Sequence, residues 1–196
     1  MIPAVQRTLK PFRPSFRPRE AAWYNPNVSI ELDNNKFVVK TVDSLKEWFK
    51  VLRFRHEVFL SEYKTTGLSF GLDVDRYDCG CDHLIISDKA SKEIVGSYRM
   101  LCSEFTKRFY SEQEFDIKQI KTLDGVKLEL GRACVHPNFR NGSILQLLWR
   151  GISSYAKQTN ARYLFGCSSL KGLDPAIARK MELYFETRGL MDSAMQ

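Results

Sequence analysis

The stretch Lys127–Val135, K-L-E-L-G-R-A-C-V, sets a carboxylate and a guanidinium inside an otherwise apolar run, and no other feature limits so sharply what the chain can fold into. Its composition reads as a strand. An isolated charge in a core is costly, so Glu129 and Arg132 must find partners or open onto a cleft. Three positions apart on a regular strand they point to opposite faces, and Gly131 between them is where a bulge would re-aim one side chain. Two readings stand: a structural ion pair, or a general base and polar recognition pair in a cleft. The run leads through His136-Pro137-Asn138-Phe139-Arg140-Asn141-Gly142-Ser143 into the clearest helix of the chain, 143–159. There Ile144, Leu145, Leu148, Trp149, Ile152, Tyr155 and Ala156 make one face, with Gln146, Arg150, Ser153 and Lys157 on another. The helix start at Arg140, Asn141, Gly142 and Ser143 presents backbone donors to an anion, typically phosphate. With a single glycine it fits neither a Walker loop nor a dinucleotide fingerprint, and an ordinary helix cap is the other reading.

The remaining periodicities surround this unit. They predict a strand over 36–42 and a helix over 44–62 on the repeat Leu45, Trp48, Phe49, Leu52, His56, Phe59. A Gly- and Asp-bearing loop spans 64–81. Strands follow at 83–87 and 94–102, a helical piece at 111–120, a strand at 162–168 and a helix at 174–187 closed by Gly189. The order is strand, helix, three strands, helix, strand, helix, an α/β mixed layer fold with helices covering a central sheet. Arg55, at the border of the first helix's apolar face, would fix the acidic loop by meeting Asp73, Asp75 or Asp78. Arg99, inside the apolar strand 94–102, needs a partner if it faces inward.

Composition removes several classes. At 196 residues the chain is one domain in expectation and needs neither metal nor disulfide to hold a core. Five cysteines with one close pair, Cys79 and Cys81, argue for reduced thiols rather than a secreted disulfide framework. His56, His83 and His136 are not spaced as ligands, so no metal is expected. The acidic loop Asp73, Asp75, Asp78, Asp82 lacks the glycine and glutamate of an EF-hand, and no G-x-S-x-G occurs. No run approaches the ~18 apolar residues of a membrane span, and the basic N-terminus has no apolar core behind it. The expected location is cytoplasmic. The net charge of +7 is partly concentrated in residues 1–35, where Arg7, Lys10, Arg13, Arg17 and Arg19 alternate with prolines; this reads as an extended arm ahead of a domain at 36–196. Such an arm either wraps or docks on an anionic membrane surface, an acidic carrier protein or nucleic acid.

Several ordered motifs then converge. R-H-E-V-F (55–59), D-V-D-R-Y-D-C-G-C-D-H-L (73–84), G-S-Y-R (96–99), F-Y-S-E-Q-E-F-D (109–116), L-E-L-G-R-A-C-V-H-P-N-F-R-N-G (128–142), L-L-W-R-G-I (147–152) and L-F-G-C-S-S (164–169) resemble the bacterial ornithine N-acyltransferase family. That family belongs to the GNAT superfamily and is similar to the acyl-homoserine-lactone synthases. The resemblance implies a GNAT-like mixed sheet flanked by helices and transfer of a fatty acyl group, commonly 3-hydroxyacyl, to the α-amine of an amino acid such as ornithine or glycine. The donor it implies is acyl carrier protein, with no bound cofactor, and the product is a lyso-aminolipid. It places Arg55, Phe59, Asp73, Asp75, Arg99, Glu129 and Arg132 in the catalytic cleft. Backbone donors at Ala133, Cys134 and Val135 would polarise the thioester carbonyl, Arg140–Ser143 would take the pantetheine phosphate, and Phe59, Leu148 and Trp149 would line the acyl pocket. An acidic carrier protein suits the basic surface, with peripheral contact to an anionic inner membrane as a further expectation.

The chain also departs from the GNAT pattern. R-N-G-S has fewer glycines than the usual phosphate loop. Phe185 holds the spacing at which many GNAT enzymes place an acid tyrosine, with Tyr184 beside it, so the acid is unassigned. The chain stops at Gln196 where a further strand would complete the sheet, so the sheet is expected to lack its last strand, the chain being truncated or another chain completing the fold. Competing readings are an acyl-CoA-dependent GNAT enzyme, an acyl-homoserine-lactone-type signal synthase, and a non-catalytic basic binding module. Nucleic acid is not expected as a partner, because no aromatic stacking strip of a known module is present.

Overall fold

A computed structural model of the chain describes residues 24–63, 71–168 and 174–191. Residues 1–23, which hold the Pro-rich arm, lie outside the described residues, as do 64–70 of the acidic loop. Strands β1 (Glu31–Asp33), β2 (Phe37–Thr41), β3 (Asp82–Asp88), β4 (Ile94–Cys102), β5 (Val126–Val135) and β6 (Ala161–Phe165) form one six-stranded sheet in chain order. Neighbours are antiparallel except β5 and β6, which are parallel. A parallel pair needs a crossover, and helix α3 (Ser143–Gln158) supplies it. Helix α1 (Leu45–Tyr63) links β2 to β3, a 3-10 turn (Tyr110–Gln113) and the short α2 (Lys118–Thr122) link β4 to β5, and α4 (Pro175–Thr187) follows β6.

Strand β3 explains the layering. Its D-H-L-I-I-S-D run is buried on both faces, as expected of a strand covered from two sides. Leu84 and Ile86 face the core under α3, with Val39, Met100, Leu128, Ile144, Leu148 and Ile152. Ile85 faces the core under α1, with Trp48, Val51, Leu52, Val58 and Cys134. Alternation along one strand therefore assigns α1 and α3 to opposite faces. The buried stripe of α1 runs through Trp48, Val51, Leu52 and Arg55, while Phe49 is exposed; Arg55 thus sits within the buried face and not at its border. A third cluster, Tyr77, Cys81, Leu101, Phe109 and Ile117, packs the acidic loop and the β4–β5 connection on the α1 face.

Residues 24–35, placed by sequence in the arm, contribute to this body. Tyr24 and Ile30 are buried, the Asn27 backbone donates to Asp82 at 2.7 Å, and β1 pairs with β2. Three residues are too few for periodicity to reveal β1.

Helix α3 lies flush on the sheet because residue 151 has no side chain. A Cβ there would fall 2.7 and 2.9 Å from the Leu84 methyl carbons and 2.9 Å from Val39. Gly151→Ala gains about 1 kcal/mol of helix propensity but overpacks a dense core. A net loss of about 1–2 kcal/mol is expected, read as a lower urea midpoint at unchanged m-value.

Candidate active site

Strand β5 builds the site through a bulge. Glu129 pairs with Leu101 and Gly131 with Arg99, whereas Cys134 pairs with Ser97, so β5 carries one residue more than β4 between these pairs. The strained position is Arg132, in the left-handed region at φ 50°; Gly131 has no positive φ, and the bulge sits one residue beyond where the glycine pointed. The extra residue reverses the alternation. Glu129 and Cys134, five positions apart, both lie on the α1 face, and Arg132 is re-aimed to that side. Pairing of β5 with β6 ends at Glu129, so the sheet opens beyond it.

Under this opening lies a lattice of buried charge. Asp78 is fully buried and Arg55 and Arg99 nearly so. Arg55 donates to Asp78 Oδ1 at 2.7 Å and through Nε and Nη2 to Asp73 Oδ2 at 2.8 and 2.6 Å. Arg99 donates through Nη1 to Asp75 Oδ2 at 2.7 Å and lies 3.4 Å from Asp78 Oδ1. Arg132 reaches Asp75 Oδ2 at 3.2 Å and approaches Asp73 at 3.4 Å. Three guanidiniums thus meet three carboxylates, and the loop folds to deliver the acids: Asp75 N–H donates to Asp78 at 2.6 Å, and Tyr77 N–H to Asp75 at 2.8 Å. Trp48 Nε1 donates to the Asp78 carbonyl at 3.0 Å, tying the loop to α1. Burial alone would raise the Asp78 carboxyl, but the charges of Arg55 and Arg99 outweigh it and hold it well below the usual range.

Glu129 stands apart from this lattice. It is 2% exposed and accepts from Tyr110 N–H at Oε2 (2.7 Å) and from Ser111 N–H at Oε1 (2.6 Å), with the Ser111 hydroxyl a third donor. Cys167 donates in turn to Ser111 Oγ at 3.3 Å. No bond joins Glu129 to Arg132, so the structural ion pair of the sequence reading is not formed. Arg132 instead lies over the rings of Tyr110 and Phe59, 5.3 and 5.9 Å from their centroids.

These groups wall a cleft of about 620 Å³ that includes Phe59, Asp73, Arg99, Tyr110, Glu129 and Arg132. A second cleft of about 360 Å³ is lined by Ala133, Cys134, Val135, Phe139, Arg140 and Gly142. Ala133 belongs to both. Gly142 caps α3 with φ 90°, Asn141 Oδ1 accepts from Ser143 N–H at 3.1 Å, and Arg140 pairs with Glu62 while donating to the Val135 carbonyl at 3.0 Å. Burial pushes the Cys134 thiol up to about 12, which makes it a poor nucleophile at neutral pH.

Sequence reasoning thus finds two groups that the fold brings together across the bulge. Two expected acyl-pocket residues do not join them. Leu148 is buried in the α3 core, because it takes the inward α-helical position facing the sheet, and Trp149 is 47% exposed beside Tyr98. Tyr184 and Phe185 are exposed on α4 and line neither cleft. Missing from the sequence-derived site are Asp78, named only as one possible partner of Arg55, and Tyr110 and Ser111, whose backbone donors no side-chain pattern reveals. Asp78, Cys81 and His83 bring ligand atoms within 4.8 Å of one another, but Asp78 is already held by two guanidiniums and Cys81 Sγ lies 3.4 Å from His83 Nε2. A cation there would face those two positive charges.

Burial of His83 pushes its imidazole down to about 4, against the pull of the Asp78 charge. A folded-state value below the unfolded 6.5 contributes stability that is present above pH 6.5 and is lost as the pH falls toward 4, about 3 kcal/mol in all. Asp78, also depressed, adds its own loss only below about pH 4. The melting temperature is expected to fall between pH 6.5 and 4, and His83→Gln to flatten that fall, as followed by circular dichroism. Removing the central carboxylate with Asp78→Ala leaves two buried cations and is expected to cost about 3–5 kcal/mol at pH 7.

Comparison with known proteins agrees with this geometry. Residues 54–150 match the family described as an acetyltransferase (GNAT) domain. The L-ornithine N(alpha)-acyltransferase of Brucella abortus (strain 2308) is 38% identical over 53% of this chain and 41% of its own length. That of Rhizobium meliloti (strain 1021) is 36% identical over 62% and 46%. The chain spans about half the length of the curated relatives it matches. Among solved structures, the AHL synthase LasI superposes with a TM-score of 0.51 at 14% identity, covering 76% of this chain and 77% of that one, which shows a shared fold. A sheet that opens past a bulge, with two clefts meeting there, is therefore the GNAT fold, within which residues 54–150 match the GNAT acetyltransferase domain family and the chain is similar in sequence to about half the length of L-ornithine N(alpha)-acyltransferases.

Proposed function

We propose that the chain transfers an acyl group, as its (3-hydroxy)fatty thioester on acyl carrier protein, to the α-amine of ornithine or a similar amino acid, giving a lyso-aminolipid. The observation that carries this reading is the sharing of Ala133 by the two clefts. An acceptor held in the larger and a thioester arm threaded through the smaller meet at that residue. The names of the sequence relatives favour ornithine.

The parts then have roles. Arg132 Nη1 makes no bond among the described residues and faces the acceptor's α-carboxylate, a geometry guanidinium suits. Glu129 Oε2 carries one donor, leaving a lone pair to accept the amine N–H and take its proton, directly or through water. The amine nitrogen attacks the thioester carbonyl carbon, forming the C–N bond. The oxyanion that develops takes hydrogen bonds from the β5 edge near Ala133–Val135, where β6 no longer pairs. Collapse breaks the C–S bond, and the thiolate leaves as thiol with the proton the amine gave up. Asp73, Asp75, Arg55 and Arg99 act as positioning residues, holding Arg132 and the cleft wall. Arg140 and the α3 start take the pantetheine phosphate, Arg140 exchanging Glu62 for it. The excess of positive charge, +7, favours an acidic carrier protein and contact with an anionic membrane surface. No helix among the described residues is long and apolar enough to cross a membrane.

The test is incubation with 3-hydroxyacyl carrier protein, the matching coenzyme A thioester and a panel of amino acids, following thiol release and product mass. N-acyl amino acid is expected from the carrier-protein thioester. Glu129→Gln is expected to lower kcat about 10²-fold, and Arg132→Lys to raise the acceptor KM. Equal rates from both donors would remove the carrier protein from the reading, and a folded sample without turnover on any amine would remove acyl transfer.

A further inference from the structure

Three carboxylates wall the larger cleft, and two are already engaged: Asp73 by Arg55 and Glu129 by three donors. The third, Glu114, has no cation partner among the described residues. Its Oε1 accepts only the Tyr110 hydroxyl, at 3.3 Å. Tyr110 is in turn a fixed spacer. Its ring lies 5.4 Å from the Arg99 guanidinium and 5.3 Å from that of Arg132, with Tyr77 edge-on at 6.1 Å. Its backbone N–H is bonded to Glu129 and its hydroxyl to Glu114, so one tyrosine sets the separation of the two carboxylates.

Resting on the N-acyltransferase reading above, we propose that Glu114 is a specificity-determining residue that binds the side-chain ammonium of a diamino-acid acceptor, while Arg132 takes its α-carboxylate and Glu129 its α-amine. The two charged ends of such an acceptor then each meet an opposite charge, and its α-amine meets its base. A neutral side chain of the same length forgoes the third contact, and an acidic one meets repulsion, so the site selects both for and against. An amine held at Glu114 is also kept a tyrosine's length from the thioester, which directs acylation to the α-nitrogen.

The experiment is steady-state kinetics of the full chain at saturating 3-hydroxyacyl carrier protein with ornithine, lysine, norvaline and glutamate, comparing wild type with Glu114→Gln and Glu114→Lys. Glu114 is exposed, and melting curves are expected to superpose. Glu114→Gln should raise the KM for ornithine about tenfold with kcat little changed and leave norvaline untouched, so that the preference for ornithine over norvaline collapses. The wild-type KM for ornithine should rise with salt more steeply than that of Glu114→Gln, which keeps only the contacts of Arg132 and Glu129. Glu114→Lys should bring glutamate above ornithine. An unchanged ornithine-to-norvaline ratio in a Glu114→Gln enzyme that still turns over overturns the role of Glu114 alone, whereas wild type that acylates no amine overturns the underlying reading with it.

Discussion

The structure depends on the contact of Arg55 and Arg99 with one fully buried carboxylate, Asp78. Desolvating three ions costs several kcal/mol each, and only close mutual pairing with further hydrogen bonds repays it. The loop therefore has one geometry in which all its acids are used, and that geometry joins α1, β4 and the loop into one wall. Trp48 and Tyr24 reinforce it through the Asp78 and Cys81 carbonyls. The same lattice reaches Arg132 through Asp75, so the group that faces the cleft is positioned by half-buried carboxylates that are themselves anchored around the sealed Asp78.

The second constraint is the bulge. A regular β5 would bury Arg132 beneath α3 among Leu128, Met100 and Leu148, away from Asp73 and Asp75. One extra residue turns it to the opposite face, at the cost of a left-handed backbone at a side chain with a Cβ. The bulge also ends pairing with β6 near Glu129, and the opening so created is where the two clefts join. Charge placement and sheet opening are consequences of one local irregularity.

Much of the fold was legible from periodicity. The limits of β3 and β4 and the long amphipathic α3 all follow from runs of apolar residues, and the structure places each within a residue or two. What periodicity missed was short or irregular: three-residue β1, and the rotation of α1 that carries Arg55 inward, since a guanidinium counts as polar until its partners are known. In the site, the charged pair in β5 and the acids of the loop were visible because ionised groups in apolar or clustered settings demand an account. Tyr110 and Ser111 were not, because they hold Glu129 largely through two backbone N–H groups that any residue supplies, and their side chains meet it and its neighbours only once the β4–β5 connection has folded over β5.

By itself, then, the sequence determined the layers, the order of elements along the chain and the residues whose charges had to be reconciled, because hydrophobic pattern and the cost of burying charge are local properties. Only the tertiary structure decided who pairs with whom. Glu129 took backbone donors from the β4–β5 connection in place of Arg132, Asp78 became the shared anion, and Leu148 went to the core in place of a cleft. These outcomes rest on distances between segments far apart in the chain, on one bulge whose position shifts the facing of every residue beyond it, and on packing that leaves each buried charge a single arrangement in which it is satisfied.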